Sequence, residues 1–370
     1  MQTRRTPWLT SSPQQALSSA FPSRDGTLRL CVSATPSGAS ANLVCVSALR
    51  EFGAHRQSGG RRRHRDPAIA CQTLLSHRLA TMATIDTFLS ACRSADAHTV
   101  SGMLHGGGMP CRVVRGCDAR KRSAMWHAAH ANRADVLAVL MSHYRTRTLV
   151  STDVDGRTPL HAAALRGATA AVRALLKHGQ VDINARDRTG ATPLYLACAA
   201  GHLGVVKALC EDKRVNVALA TSTARVAPVA VAAQRRHPQI VRYLVESAHA
   251  QVSDPVDRDG ATVFALACQG VDGSAGSTQL LRYLAGLPGV SPGTARDNGR
   301  TPLHDACSTN SAGARRVAEV LVTMQGVDVD TVDRDGNTPL HHACETGALA
   351  QARLLLQLAG AATINARNAR

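Results

Sequence analysis

The chain has 370 residues, with 43 Lys and Arg against 26 Asp and Glu for a formal net charge of +17, and is 44% hydrophobic but only 3% aromatic. That length allows two or three ordinary domains or one long repetitive array, and the composition excludes a collagen, a small disulfide scaffold and a wholly disordered chain. Arg, Asp, His or Gly interrupts every apolar run before the roughly 20 residues that a spanning helix needs, so no membrane span is expected.

With four Phe, four Tyr and two Trp, a core must be filled by Ala, Val and Leu, which suits thin layers of short helices. The cations are 39 Arg and only Lys121, Lys177, Lys207 and Lys213. A coding bias yields the same ratio, so charge alone points only weakly to nucleic acid.

Residues 1–80 hold eleven Arg and three acids, a net of +8, and include the tract Arg61, Arg62, Arg63, His64, Arg65. Ser, Ala, Pro and Gly fill much of the rest without helical or twofold periodicity, so a disordered basic leader is expected. The tract fits a nuclear-import patch, and the acid-poor, Ser- and Arg-rich bias fits an organellar transit peptide. The third reading is a segment with no folded role, and one that is not translated if Met82 is the start.

From there a period near 34 organises residues 84–366. Thr158, Pro159, Leu160, His161 returns as Thr192, Pro193, Leu194, Tyr195, then as Thr301, Pro302, Leu303, His304, and as Thr338, Pro339, Leu340, His341. Weaker copies span Ala124–Ala129, Ala227–Ala232 and Thr262–Ala267. Taken at His127, His161, Tyr195, Ala230, Ala265, His304 and His341, the spacings are 34, 34, 35, 35, 39 and 37. A second apolar cluster follows each phrase, as at Val172, Leu175, Leu176 or Val241, Leu244, Val245. Each unit is therefore two short amphipathic helices and a loop, and units must stack because neither helix buries its stripe alone.

The unaltered phrase Thr-Pro-Leu-His-x-Ala occurs three times and resembles the signature of the ankyrin repeats. The resemblance implies an all-α solenoid of helix-turn-helix units with β-turn loops, as seven repeats over residues 118–366. A degenerate capping repeat is expected at 84–117, where Phe88, Leu89, Ala91, Cys92, Val100, Met103 and Leu104 keep the register, and 367–370 form a tail.

The signature residues have structural tasks. Thr158, Thr192, Thr301 and Thr338 stand as N-caps, and Pro159, Pro193, Pro302 and Pro339 fill the first helical turn. Leu160, Leu194, Leu303 and Leu340 bury against the next unit. His161, His304 and His341 are expected to bridge repeats by hydrogen bonds. The Asp-x-x-Gly turns beginning at Asp153, Asp187, Asp257 and Asp333 offer a carboxylate to the turn's N–H groups and a Gly for φ > 0. They lack the oxygen ladder of a calcium loop, so no metal is expected.

Cys198, Cys268, Cys307 and Cys344 share one slot, too far apart to bridge, and are expected to be small buried hydrophobes. The free thiols suggest a reducing, cytoplasmic setting. Cys-x-x-Cys, His-Glu-x-x-His, Gly-x-Ser-x-Gly and a phosphate-binding glycine loop are absent, so neither catalysis nor a cofactor is expected.

Binding information should sit where units differ and stay exposed. The enlarged inter-helix turns Gln269 to Ser277, with Asp272 and Ser274, and Ser308 to Ala314, with Asn310, are one candidate edge. The other is the hairpin ridge: Arg157, Arg300 and Asn337 ahead of the caps, with Arg188, Arg258 and Arg334 in the turns. Such a ridge would steer an acidic protein partner. The fourth full repeat has lost its Asp turn and its Thr cap and should be a weak joint, and Leu355 and Leu358 are expected to be partly uncovered. The leading expectation is a noncatalytic protein-interaction module. The alternatives are a nuclear or nucleic-acid-associated regulator using the Arg tract, and a substrate adaptor or regulatory subunit of a separate enzyme.

Overall fold

A computed structural model describes residues 20–22, 28–30, 67–105, 116–143, 151–269, 275–358 and 366–368. Two compact units divide the chain, Met1–Leu79 and Ala80–Arg370. In the first, strands β1 (Ala20–Pro22) and β2 (Leu28–Leu30) pair antiparallel with Ala20 opposite Leu30. This hairpin and the start of a helix at Pro67 are the elements described within residues 1–80. The Arg61–Arg65 tract lies outside the described residues.

Helix α1 (Pro67–Ser94) begins at a proline, whose missing N–H costs nothing there, and no Gly or further Pro follows to stop it. With α2 (Ala97–His105) it buries Phe88, Leu89, Ala91, Cys92, Val100 and Leu104, the residues whose spacing matches the repeats. Seven further helix pairs follow: α3 (Ala124–His130) and α4 (Ala134–His143), α5 (Pro159–Arg166) and α6 (Thr169–Lys177), α7 (Pro193–Ala200) and α8 (Leu203–Cys210), α9 (Pro228–Gln234) and α10 (Pro238–Glu246), α11 (Val263–Gln269) and α12 (Ala275–Ala285), α13 (Pro302–Cys307) and α14 (Ala312–Leu321), α15 (Pro339–Glu345) and α16 (Leu349–Leu358).

First helices pack on first helices and second on second, giving two layers. The first layer approaches closely because its contact residues are small: Ala162, Ala163 and Ala164 in α5, or Ala230, Ala232 and Ala233 in α9, are all buried. Between the layers lie Leu160, Leu175, Leu194, Leu209, Leu244, Leu281 and Leu321, each stabilising by about 1.5–3 kcal/mol relative to exposure.

Local chemistry sets the helix ends. The Thr158 and Thr192 hydroxyls accept from the N–H of His161 and Tyr195. At the C-termini of α5 and α7, Gly167 and Gly201 take the left-handed conformation. The fourth pair breaks this pattern at three points. Ala227 caps α9 with no side-chain hydrogen bond. Arg225 and Arg236 hold φ of 56° and 63° where the second and third repeats place Gly, which costs an L-residue roughly 1–2 kcal/mol. The caps and turns make this pair the least reinforced of the array.

Ala227 already has N-cap dihedrals, φ −76° and ψ 157°. Ala227→Thr is therefore expected to stabilise the protein by about 1 kcal/mol, read as a raised midpoint in urea denaturation; an unchanged or lower midpoint would contradict the capping account.

Candidate partner-binding surface

Five of the seven turns ahead of a first helix are built on one carboxylate. Asp153 Oδ1 accepts from the N–H of Asp155 at 2.9 Å and of Arg157 at 2.8 Å. Asp187, Asp257 and Asp333 repeat the arrangement, each accepting from two N–H groups of its own turn. Asp118 does the same with Arg120 and Arg122. Its turn escapes a Gly-based reading because Lys121 fills the left-handed position at φ 59°.

Successive turns are tied by a backbone ladder. Val154 N–H donates to Arg120 O, Arg188 N–H to Asp155 O, Ser222 N–H to Thr189 O, Asp297 N–H to Asp259 O and Arg334 N–H to Asn298 O, all at 3.0–3.1 Å. From Arg258 no corresponding backbone bond is found among the described residues. There the Arg258 guanidinium donates to Ser222 O at 3.2 Å instead.

The histidines form a second ladder. His161 Nε2–H donates to Ala191 O at 3.0 Å, leaving Nδ1 to accept from Thr158 N–H at 3.2 Å. His304 repeats this with Asn337 O and Thr301 N–H. His341 caps Thr338 in the same way, and no Nε2 acceptor for it is found among the described residues. His202, which the sequence reading passed over, donates to Leu165 O at 3.1 Å and adds another inter-repeat tie.

One slot assignment needs correction. Trp126 N–H, not that of His127, reaches the α3 cap Ser123, so Trp126 occupies the His161 slot and His127 the following one. His127 Nε2 lies 3.2 Å from Asp118, as His342 Nε2 lies 2.8 Å from Asp333. In the sixth full repeat the charges are exchanged: Arg296 stands in the Asp slot and meets Asp305 at 2.6 Å.

The structure separates the candidate ridge into two classes. Arg157 is half-buried against Asp155 and Asp187, and Arg300 is half-buried against Asp305 and the Ser308 hydroxyl. Asn337 is half-buried and accepts from Asn368. Ala191 and Ala261, in the same slot, are buried, so this position does not project as the sequence reading expects. Arg188, Arg258 and Arg334 are exposed.

The second long turn is tied to its neighbour: Asn310 donates to Gly347 O and Gln351 to Thr309 O, while Ser308 donates to His304 O. In the first long turn Gln269 is exposed, and Asp272 and Ser274 lie outside the described residues.

In the last pair, Leu355 is buried and Leu356 and Leu358 are exposed, so of the two leucines expected to be uncovered only Leu358 is. Cys198, Cys268 and Cys307 are buried, whereas Cys344 is exposed, because no described element packs over α15 as α9, α13 and α15 pack over α7, α11 and α13.

Buried histidines make stability depend on pH. Burial holds His127 down to about 4 from 6.5 despite the opposing Asp118 charge, and burial likewise lowers His161 and His304. Between pH 6.5 and 4 the unfolded chain therefore binds more protons than the folded one. Their contribution is complete above pH 6.5 and is lost as pH falls through that window. Urea midpoints should drop steadily from pH 7 to pH 4.5; a flat profile would contradict the neutral-histidine assignment.

Among the described residues no group of three His, Cys, Asp or Glu side chains converges to hold a metal, and no helix is long and apolar enough to cross a membrane. Three copies of an ankyrin-repeat family model match residues 88–187, 125–221 and 271–368. The human ASB11 ankyrin repeat domain is similar at 25% identity and a TM-score of 0.51, over 65% of this chain and 99% of that one. This is a fold that serves generally as a non-enzymatic protein–protein interaction scaffold, and with turn, cap and family match agreeing, the chain belongs to the ankyrin-repeat family.

Proposed function

We propose that the array comprises seven repeats over residues 118–366, capped by the α1–α2 pair, and binds a protein partner through its turns and first helices. The observation that supports this is the row of exposed turn arginines, Arg188, Arg258 and Arg334. On the second helices some charges are spent locally, as where Arg315 and Arg316 pair with Glu319. The first helix α5 leaves Leu165 exposed at its C-terminal end. A row of exposed arginines suits the recognition of an acidic protein surface. The free, buried Cys92, Cys198 and Cys307, whose thiols burial pushes up, fit a reducing cytoplasmic setting.

A photo-crosslinking residue at Leu165, on a first helix, and at Lys177, on a second helix, tests the reading in cells. A discrete crosslinked protein from the Leu165 position and none from Lys177 is expected. Crosslinks from Lys177 alone would place the interface on the opposite face.

A further inference from the structure

The fourth full repeat has a property that no other repeat shares. From Lys213 to Val245 the sequence contains no Asp or Glu, yet it carries Lys213, Arg214, Arg225, Arg235, Arg236 and Arg242. Where the neighbouring turns have Asp187 and Asp257, this turn has Thr221, whose hydroxyl accepts from Val226 N–H in place of a carboxylate. The other turns supply their own counter-charge; this one supplies hydroxyls.

Neighbouring repeats add arginines to the same place. Arg186 Nη1 reaches to 3.5 Å from the Ser222 hydroxyl from one side, and Arg258 Nη2 donates to Ser222 O from the other. Arg186, Ser222, Arg225, Arg235 and Arg258 are all exposed. Of the flanking turn carboxylates, Asp187 and Asp257 are committed to backbone N–H groups, and Asp259 is exposed beside Arg258. Half-buried Tyr195 lies within the electrostatic reach of Arg235, in the slot where other repeats place a bridging histidine. A desolvated guanidinium–carboxylate contact is charge-assisted and bidentate, and a row of them across adjacent turns selects for consecutive acids.

We infer that the turns of the third, fourth and fifth full repeats form a docking surface for an acidic segment of a protein partner, held by Arg186, Arg225, Arg235 and Arg258. The inference rests on the interaction reading above and places its acidic specificity at the turn that has no carboxylate of its own, Arg214 and Arg242 being paired with Asp212 and Glu246. An acidic peptide fits better than a nucleic acid. Single strands are held by bases stacked on successive aromatic side chains, whereas the acid-free stretch has one aromatic, Tyr243, on the second helix.

The test uses the full chain and a fluorescein-labelled peptide of consecutive glutamates, with anisotropy as the readout. Arg225→Ala/Arg235→Ala/Arg258→Ala should weaken binding by about tenfold or more. Arg173→Ala/Arg282→Ala/Arg353→Ala, which removes the same charge from second helices, should change it by less than about twofold. Because Arg258 also ties two turns, Arg225→Gly/Arg235→Ala serves as a second variant. Glycine relieves the φ of 56° at residue 225, and this variant should still weaken binding by about threefold or more.

Equal weakening by the second-helix variant would reduce the effect to net charge and overturn the inference. Tighter binding of a single-stranded oligothymidylate of equal charge, sensitive to the same turn arginines, would overturn it in favour of nucleic acid. The crosslink from Leu165 keeps the two readings apart. If it persists in excess glutamate peptide and in the triple variant, the interaction surface stands and its acidic specificity fails. If it is absent from the wild-type chain, the interaction reading itself fails.

Discussion

Everything in this molecule depends on the interface between one two-helix unit and the next. A helix of six to eleven residues, as each member of the seven pairs is, has no independent stability in water. Stacking buries its apolar stripe, and the small residues of the first layer, such as Ala163, Ala197 and Ala232, let that stack close. Hydrophobic contact is non-directional, so it does not by itself fix the register of one unit on another. Register comes from polar ties that cross the interface: the backbone ladder between turns, the His161 and His304 bonds to the carbonyls of Ala191 and Asn337, and the His202 bond to Leu165. The His161 and His304 bonds are satisfied away from bulk water, where losing one partner costs about 1–3 kcal/mol.

The same ties explain why candidate binding residues divided as they did. Arg157 and Arg300 sit one residue before a cap, where the chain turns inward, so neighbouring acids claim their guanidinium groups. Arg188, Arg258 and Arg334 sit in the turns and stay exposed. Asn310 and Ser308 occupy an enlarged turn, yet Asn310 bonds the adjacent unit at Gly347 and Ser308 bonds back to His304. An insertion in a repeat is therefore not by itself a sign of a free edge.

Much of the fold was legible because the phrase Thr-Pro-Leu-His encodes a cap, a helix start, a buried contact and a bridge in consecutive residues, each with one physical task. What was not legible involved residues that perform a slot's task with different chemistry. Lys121 takes a glycine's conformation, Ser123 takes a threonine's cap one residue from where the His127 alignment put it, and Arg296 with Asp305 inverts the pair made by Asp333 and His342. The exposed arginines of the fourth full repeat were visible as a missing Asp turn and a missing cap. Their meaning as a surface emerged only when Arg186 and Arg258 were seen to converge on Ser222 from the flanking repeats.

Weak joint and basic surface are thus two consequences of one substitution pattern: replacing the turn Asp by Thr221 and Ser222 removes a brace and a counter-charge together. Native-state hydrogen exchange at the turn amides tests this most directly. The account predicts that the Arg258 amide, which lacks the ladder bond, exchanges earliest, while those of Arg188, Ser222, Asp297 and Arg334 stay protected. Uniform protection across all five turns, or earliest exchange at Arg188 or Arg334, would contradict it.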